Sequence, residues 1–215
     1  IPKDKYEARS LKVVLGGFPE MELSFSADLI SPSNWNAGWE EDGFTPIVAG
    51  RFVTVKSWKD KTAPRSRFNI SLNPDMAFGT GHHRTTFMMM ESMGDNETAI
   101  RGKVVTDMGC GTGILSILAA KMGASRVHAI DIDARAARSA YNNVCMNRLA
   151  GKVDVCTGDA SLLQAGHKDV ILANIHRNII LMDLRTYVMA LRPGGSVFLS
   201  GFYSSDIQAV LEEAS

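Results

Sequence analysis

The sequence predicts a doubly wound, mostly parallel α/β sheet with helices on both faces, preceded by a partial N-terminal region. Three observations carry that expectation. An apolar run over 103–108 enters the turn Asp107-Met108-Gly109-Cys110-Gly111-Thr112-Gly113, and residues 114–120 leave it at helical spacing, giving strand, tight turn and helix. Residues 126–133 read as the next parallel strand and end in two acids; Asp131 stands 22 residues beyond Gly109, a separation that fits one helix and one strand between them. The unit then repeats, with strands over 153–156, 170–173 and 197–200. Right-handed crossovers put all the strand ends on one edge, which collects Asp107, Asp131, Asp159 and Asn174.

The 215 residues suffice for one sizeable core with a small appendage. Lys+Arg and Asp+Glu both number 23, so no net field recruits nucleic acid or an anionic membrane. Cys110, Cys145 and Cys156 form no CxxC pair, which favours a reducing compartment over a disulfide framework or a zinc site. With no stretch of transmembrane length and no secretory signal, a cytoplasmic location without a membrane partner is expected. The chain opens at Ile1, and a longer polypeptide is expected to contain it.

Taken in order, residues 6–15 fit a short helix and 22–25 a strand, but neither carries a motif. Trp35 and Trp39 share a helical face, which suits a docking helix or a platform for substrate. Residues 46–58 are apolar and β-rich with a turn at Ala49-Gly50, and 59–65 are a solvated break. Phe68, Ile70 and Leu72 alternate as a strand that Asn73-Pro74 stops. Next comes Met76-Ala77-Phe78-Gly79-Thr80-Gly81-His82-His83-Arg84-Thr85-Thr86, a loop able to fold over a ligand, with Phe78 covering an adenine or sulfonium face. Thr85 or Thr86 is the expected cap of the helix that follows. The paired histidines lack further ligands at metal spacing, so no metal is expected. Residues 134–148 form an amphipathic helix with Ala137, Tyr141, Val144 and Cys145 on one face. A helix over 178–191, then Pro193-Gly194-Gly195 as a turn, precede the last strand.

The glycine spacing is not that of a dinucleotide fingerprint, since no glycine stands three residues beyond Gly113. The turn suits S-adenosyl-L-methionine, whose amino-acid end would meet Asp107 and free amides around Gly109 and Gly111; another nucleotide, or a purely structural turn, remains open at this point. Asp131 is placed to accept hydrogen bonds from ribose hydroxyls. Asp133 serves as a helix cap or as a second acid, and Asp159 either meets an adenine amino group or caps the turn at Ala160-Ser161.

These motifs together resemble the bacterial ribosomal protein L11 methyltransferases, a family of class I S-adenosylmethionine-dependent enzymes. The resemblance covers roughly residues 34–205 and rests on Phe78-Gly79-Thr80-Gly81-His82-His83 with Thr85-Thr86, the turn from Asp107 to Leu115, Asp131-Ile132-Asp133, Ala173-Asn174-Ile175, Pro193-Gly194-Gly195 and Ser200-Gly201. It implies a class I methyltransferase sheet, contacts of Thr86, Gly109, Asp131 and Asn174 with the methyl donor, and ribosomal protein L11 as substrate. It further implies that 1–45 is the remnant of an N-terminal substrate-recognition domain and linker, and that 46–215 is the catalytic domain lacking its final two strands. A monomer with no requirement for nucleic acid is expected.

Methyl transfer to an amine requires an aligned nucleophile, a dry site and a neutral amine. Asn174, or the carbonyls after it, is placed to accept a hydrogen bond from the amine and is the candidate catalytic residue. Asn174-Ile175-His176-Arg177 lacks the Asn-Pro-Pro-Tyr stretch of enzymes that methylate planar amides, so an aliphatic amine fits better. His83 and His176 are candidate bases, and deprotonation by solvent is the simpler account. Other acceptors, a nicotinamide oxidoreductase and a non-catalytic binding module are the competing readings.

Overall fold

The computed structural model describes residues 43–73 and 79–214, all within one compact unit of the chain. The expectations for 6–15, 22–25, Trp35, Trp39 and Phe78 lie outside the described residues. Two sheets share a core. The smaller has the order β1 (Ile47–Ala49), β2 (Val53–Ser57), β3 (Phe68–Leu72), with β1 antiparallel to β2 and β3 parallel to it. Phe68, Ile70 and Leu72 point inward, as their alternation predicts.

The larger sheet is wholly parallel. Its strands are β4 (Val104–Met108), β5 (Arg126–Asp131), β6 (Val153–Thr157), β7 (Lys168–Asn174) and β8 (Leu191–Ser200), in the order β6-β5-β4-β7-β8. The order reverses between β4 and β7. Such a switch point opens a crevice at the carboxyl ends of the strands. β4 and the middle of β7, Val170 to Ala173, are largely buried because they lie centrally, covered on both faces.

The helices are α1 (Arg84–Asp95), α2 (Glu97–Ile100), α3 (Ile114–Lys121), α4 (Ala134–Met146), α5 (Arg177–Ala190) and α6 (Ile207–Glu213). Residues 114–120 of α3 are buried on every side, because the helix packs on β4 and β5 while β3 and α1 cover its outer face. A helix that is apolar all round belongs in such a sandwich.

Three local expectations need correction. α1 starts at Arg84, and its cap is His83, whose side chain accepts from Thr85 N–H, rather than Thr85 or Thr86. On α4, Tyr141 and Cys145 face solvent; the inward face is Ala137, Ala140, Asn143 and Val144. The reason is β3, whose outer edge is paired by no strand among the described residues: Asn143 bonds both the N–H and the C=O of Asn73, and Asn147 does the same for Ser71. Two polar side chains one helical turn apart therefore occupy positions that periodicity alone gives to apolar ones. Finally, Pro193-Gly194-Gly195 does not precede the last strand but lies within β8, as an irregularity between the Lys168–Leu191 and Val170–Ser196 pairs.

Candidate active site

A cavity of about 790 Å³ opens at the switch point. Gly109 and Gly111 after β4, Asp131 to Asp133 after β5, Gly158 to Ser161 after β6, and Asn174-Ile175 after β7 line it, with one side of α5 closing it through Ile179, Met182, Asp183, Thr186 and Tyr187. Three of the four predicted edge residues, Asp131, Asp159 and Asn174, thus come together, and Gly109 and Gly111 of the glycine turn join them.

Asp107 does not line it. Its carboxyl is buried beneath the turn, where Oδ2 accepts the Ser116 hydroxyl at 2.6 Å and the Ser116 N–H at 3.0 Å. It satisfies a first-turn amide of α3 from outside the helix, a cap supplied by the preceding strand. Burial pushes its pKa up to about 6, against the two Ser116 bonds.

The turn amides are also spent differently from expectation. Gly109 N–H and Cys110 N–H both donate to Ile130 O, Gly113 N–H donates to Cys110 O, and Gly111 N–H donates to Asp131 Oδ2 at 2.9 Å. The turn therefore offers room more than donors. Gly109 has φ +69°, and a Cβ there would stand 2.2 Å from Ile175 Cγ2, so only glycine lets the chain after β7 pass this close.

Asp131 braces two loops, accepting Gly111 N–H with Oδ2 and Asp133 N–H with Oδ1 at 3.0 Å, and each oxygen keeps lone-pair capacity for a ligand. Asp133 is the cap of α4, accepting Arg135 N–H, and that bond holds its carboxyl below the usual range. Asp159 caps the 3₁₀ turn Ala160–Leu162 through Ser161 N–H, and its bonds to Ser161 lower its pKa in the same way. Asp183 differs: burial raises its pKa, with Asp159 adding to the effect.

Asn174 is held from two sides. Its Nδ2 donates to Thr86 Oγ1 at 2.8 Å, and its Oδ1 accepts the Ser200 hydroxyl at 2.7 Å. Thr86 is fully buried and meets the site through Asn174. Neither His83 nor His176 lines the cavity; each turns Nδ1 to a helix N-terminus, His83 to Thr85 N–H and His176 to Asn178 N–H, so that nitrogen is committed as an acceptor.

Sequence reasoning missed Ile132, Ile179 and Met182 as lining residues. Ile132 is 78% exposed and Met182 70%. The signal was present for Ile132, an apolar residue between two acids at a strand tip, where no core is available to it. Among the described residues no group of three or more His, Cys, Asp or Glu could hold a metal ion, and no helix is long and apolar enough to cross a membrane.

Comparison with known proteins places this geometry among relatives. A family model described as ribosomal protein L11 methyltransferase (PrmA) matches residues 6–215. A ribosomal protein L11 methyltransferase of Bacteroides fragilis is 42% identical over 217 residues, covering 100% of this chain and 76% of the relative. One from Porphyromonas gingivalis is also 42% identical, covering 99% of this chain and 73% of its own length. Among solved structures, a ribosomal protein L11 methylase from Lactobacillus delbrueckii subsp. bulgaricus matches with a TM-score of 0.67 and 29% identity, over 79% of this chain and 86% of that one.

Proposed function

Because the chain belongs to the ribosomal protein L11 methyltransferase family, we propose that it transfers methyl groups from S-adenosyl-L-methionine to amino groups of ribosomal protein L11, on lysine side chains, the N-terminal amine or both. One observation carries the choice of methyl donor. The cavity wall holds four carboxylates, Asp131, Asp133, Asp159 and Asp183, against the single guanidinium of Arg135, while the turn amides of Gly109, Cys110, Gly111 and Gly113 are bonded within the protein. A pyrophosphate needs free N–H donors and positive charge; a ligand with a diol, amino groups and a sulfonium needs acceptors and negative charge.

The residues divide the work accordingly. Asp131 accepts from the ribose hydroxyls, Asp159 from the adenine amino group, and Ile132, Ile179 and Met182 cover the base with apolar surface. When bound, S-adenosylmethionine supplies an electrophilic methyl group on a sulfonium. Asn174 contributes its remaining acceptor capacity to an N–H of the incoming amine, which fixes the nitrogen lone pair toward the methyl group. Thr86 acts by holding Asn174. With neither His83 nor His176 lining the cavity, solvent takes the proton from the ammonium before binding. Residues 1–45 are the remnant of a substrate-recognition domain, residues 46–215 the catalytic domain, and the enzyme acts as a cytoplasmic monomer.

Mass spectrometry of L11 after incubation with full-length enzyme and methyl donor tests this reading. Methylated amines on L11 are expected. An unmodified L11, with donor bound to the enzyme by calorimetry, moves the acceptor to another protein or a small amine.

A further inference from the structure

Three elements converge on the side chain at the tip of β7. Asn174 Nδ2 donates to Thr86 Oγ1 in the first turn of α1, and Asn174 Oδ1 accepts from Ser200 Oγ at the end of β8. A primary carboxamide has two N–H groups and two oxygen lone pairs. The two hydroxyls occupy one of each, leaving one of each on a side chain that lines the cavity. The residue after Ser200 continues the brace. Gly201 has φ +95°, and a Cβ there would lie 2.1 Å from Ile175 O, so the end of β8 presses on the main chain that follows Asn174. From the opposite side Gly109 approaches the Ile175 side chain equally closely. The ends of β4 and β8 therefore enclose residue 175, and α1 and β8 enclose the carboxamide of residue 174.

We propose that Ser200 is a positioning residue for methyl transfer: its hydroxyl fixes the Asn174 carboxamide so that the remaining Oδ1 lone pair meets the acceptor amine. The idea rests on Asn174 being the partner of that amine, as in the function above. Ser200 is not among the residues lining the cavity and meets the site through Asn174. Its effect is angular. The last torsion of an Asn side chain is broad, so a carboxamide bonded only to Thr86 swings its oxygen, and the acceptor nitrogen swings with it. Reacting atoms displaced by about 1 Å cost rate much more than they cost binding.

The test is a double-mutant cycle on the full-length enzyme, with kcat measured on L11 and donor affinity measured by calorimetry. Ser200→Ala should lower kcat roughly 10- to 100-fold while donor Kd changes less than about threefold. Ser200→Thr, which keeps the hydroxyl, should recover most of the rate. In an Asn174→Ala background, Ser200→Ala should add nothing, because its route to the reaction has been removed. Losses that add across the cycle, or a wild-type kcat in Ser200→Ala, overturn the proposal. A second readout needs no acceptor: the side-chain amide signals of Asn174 in a ¹⁵N spectrum, identified by their loss in Asn174→Ala. Their ¹⁵N relaxation should report a rigid carboxamide in wild type and a mobile one in Ser200→Ala; identical relaxation overturns the proposal. Should wild-type enzyme leave L11 unmodified, the substrate reading falls, and the amide signals still decide the role of Ser200.

Discussion

Replacing Asp107 by Asn should flatten the pH dependence of folding between about pH 4 and pH 6. The carboxyl is 1% exposed at the end of β4, and burial is the largest cause raising its pKa from 3.8 to about 6. The Ser116 bonds pull it down and the charge of Asp131 pushes it further up. Since the folded pKa lies above the unfolded one, the folded protein binds the proton more tightly between the two values. The group's stabilising contribution is complete below about 3.8 and lost as pH rises through about 6. The gap, at about 1.4 kcal/mol per pH unit, amounts to about 3 kcal/mol. An Asn at this position keeps an oxygen for Ser116 and removes the ionisation. Urea titrations of both proteins across this range, compared as a difference so that the other carboxylates cancel, should show the variant gaining up to about 3 kcal/mol on the wild type as pH rises. A difference that stays constant with pH would refute a buried, upward-shifted carboxyl at residue 107.

Gly201→Ala should destabilise the fold by about 2–5 kcal/mol in urea titration, combining a left-handed φ with a clash against the Ile175 carbonyl; a wild-type midpoint would show that β8 does not press on that segment. Asp131→Ala should weaken S-adenosylmethionine at least about tenfold in calorimetry, since it removes both the ribose acceptor and the brace on Gly111, and unchanged affinity would take Asp131 out of the donor site.

The parts of the fold legible in the sequence were those governed by local period and turn chemistry. The five parallel strands, the glycine turn and the acids at the strand tips follow from apolar runs and their spacing, and the structure has them in that order. What escaped depends on partners distant in sequence. Asp107 reads as a ligand because it begins the motif, but its depth beneath α3 and its bond to Ser116 are tertiary facts. Asn143 carries no sequence signal for its inward place on α4, because nothing local announces the main chain at the end of β3, 70 residues away, that it bonds. Ser200 stands 26 residues from Asn174, at the end of a neighbouring strand, and only the register of β7 with β8 brings the two together.

The same long-range bonds make the small sheet part of the ligand site although none of its strands lines the cavity. Asn143 Nδ2 donates at 3.0 Å both to Asn73 O, just beyond β3, and to Thr112 O in the glycine turn. The Thr112 hydroxyl in turn donates to Gly79 O. Asn73 and Gly79 are thus both fastened to one residue of the turn, the first through Asn143 and the second directly. Thr112 and Asn143 are fully buried, so these bonds lie in a low dielectric, where leaving a partner unsatisfied costs about 1–3 kcal/mol. A turn in which the amides of Gly109, Cys110, Gly111 and Gly113 are bonded to Ile130, Cys110 and Asp131 has little freedom left, and Thr112 ties what remains to the end of β3, through Asn143, and to the segment that leads into α1. Its preorganisation is therefore a property of the whole described unit, and the cost of shaping a pocket for the donor is met in folding.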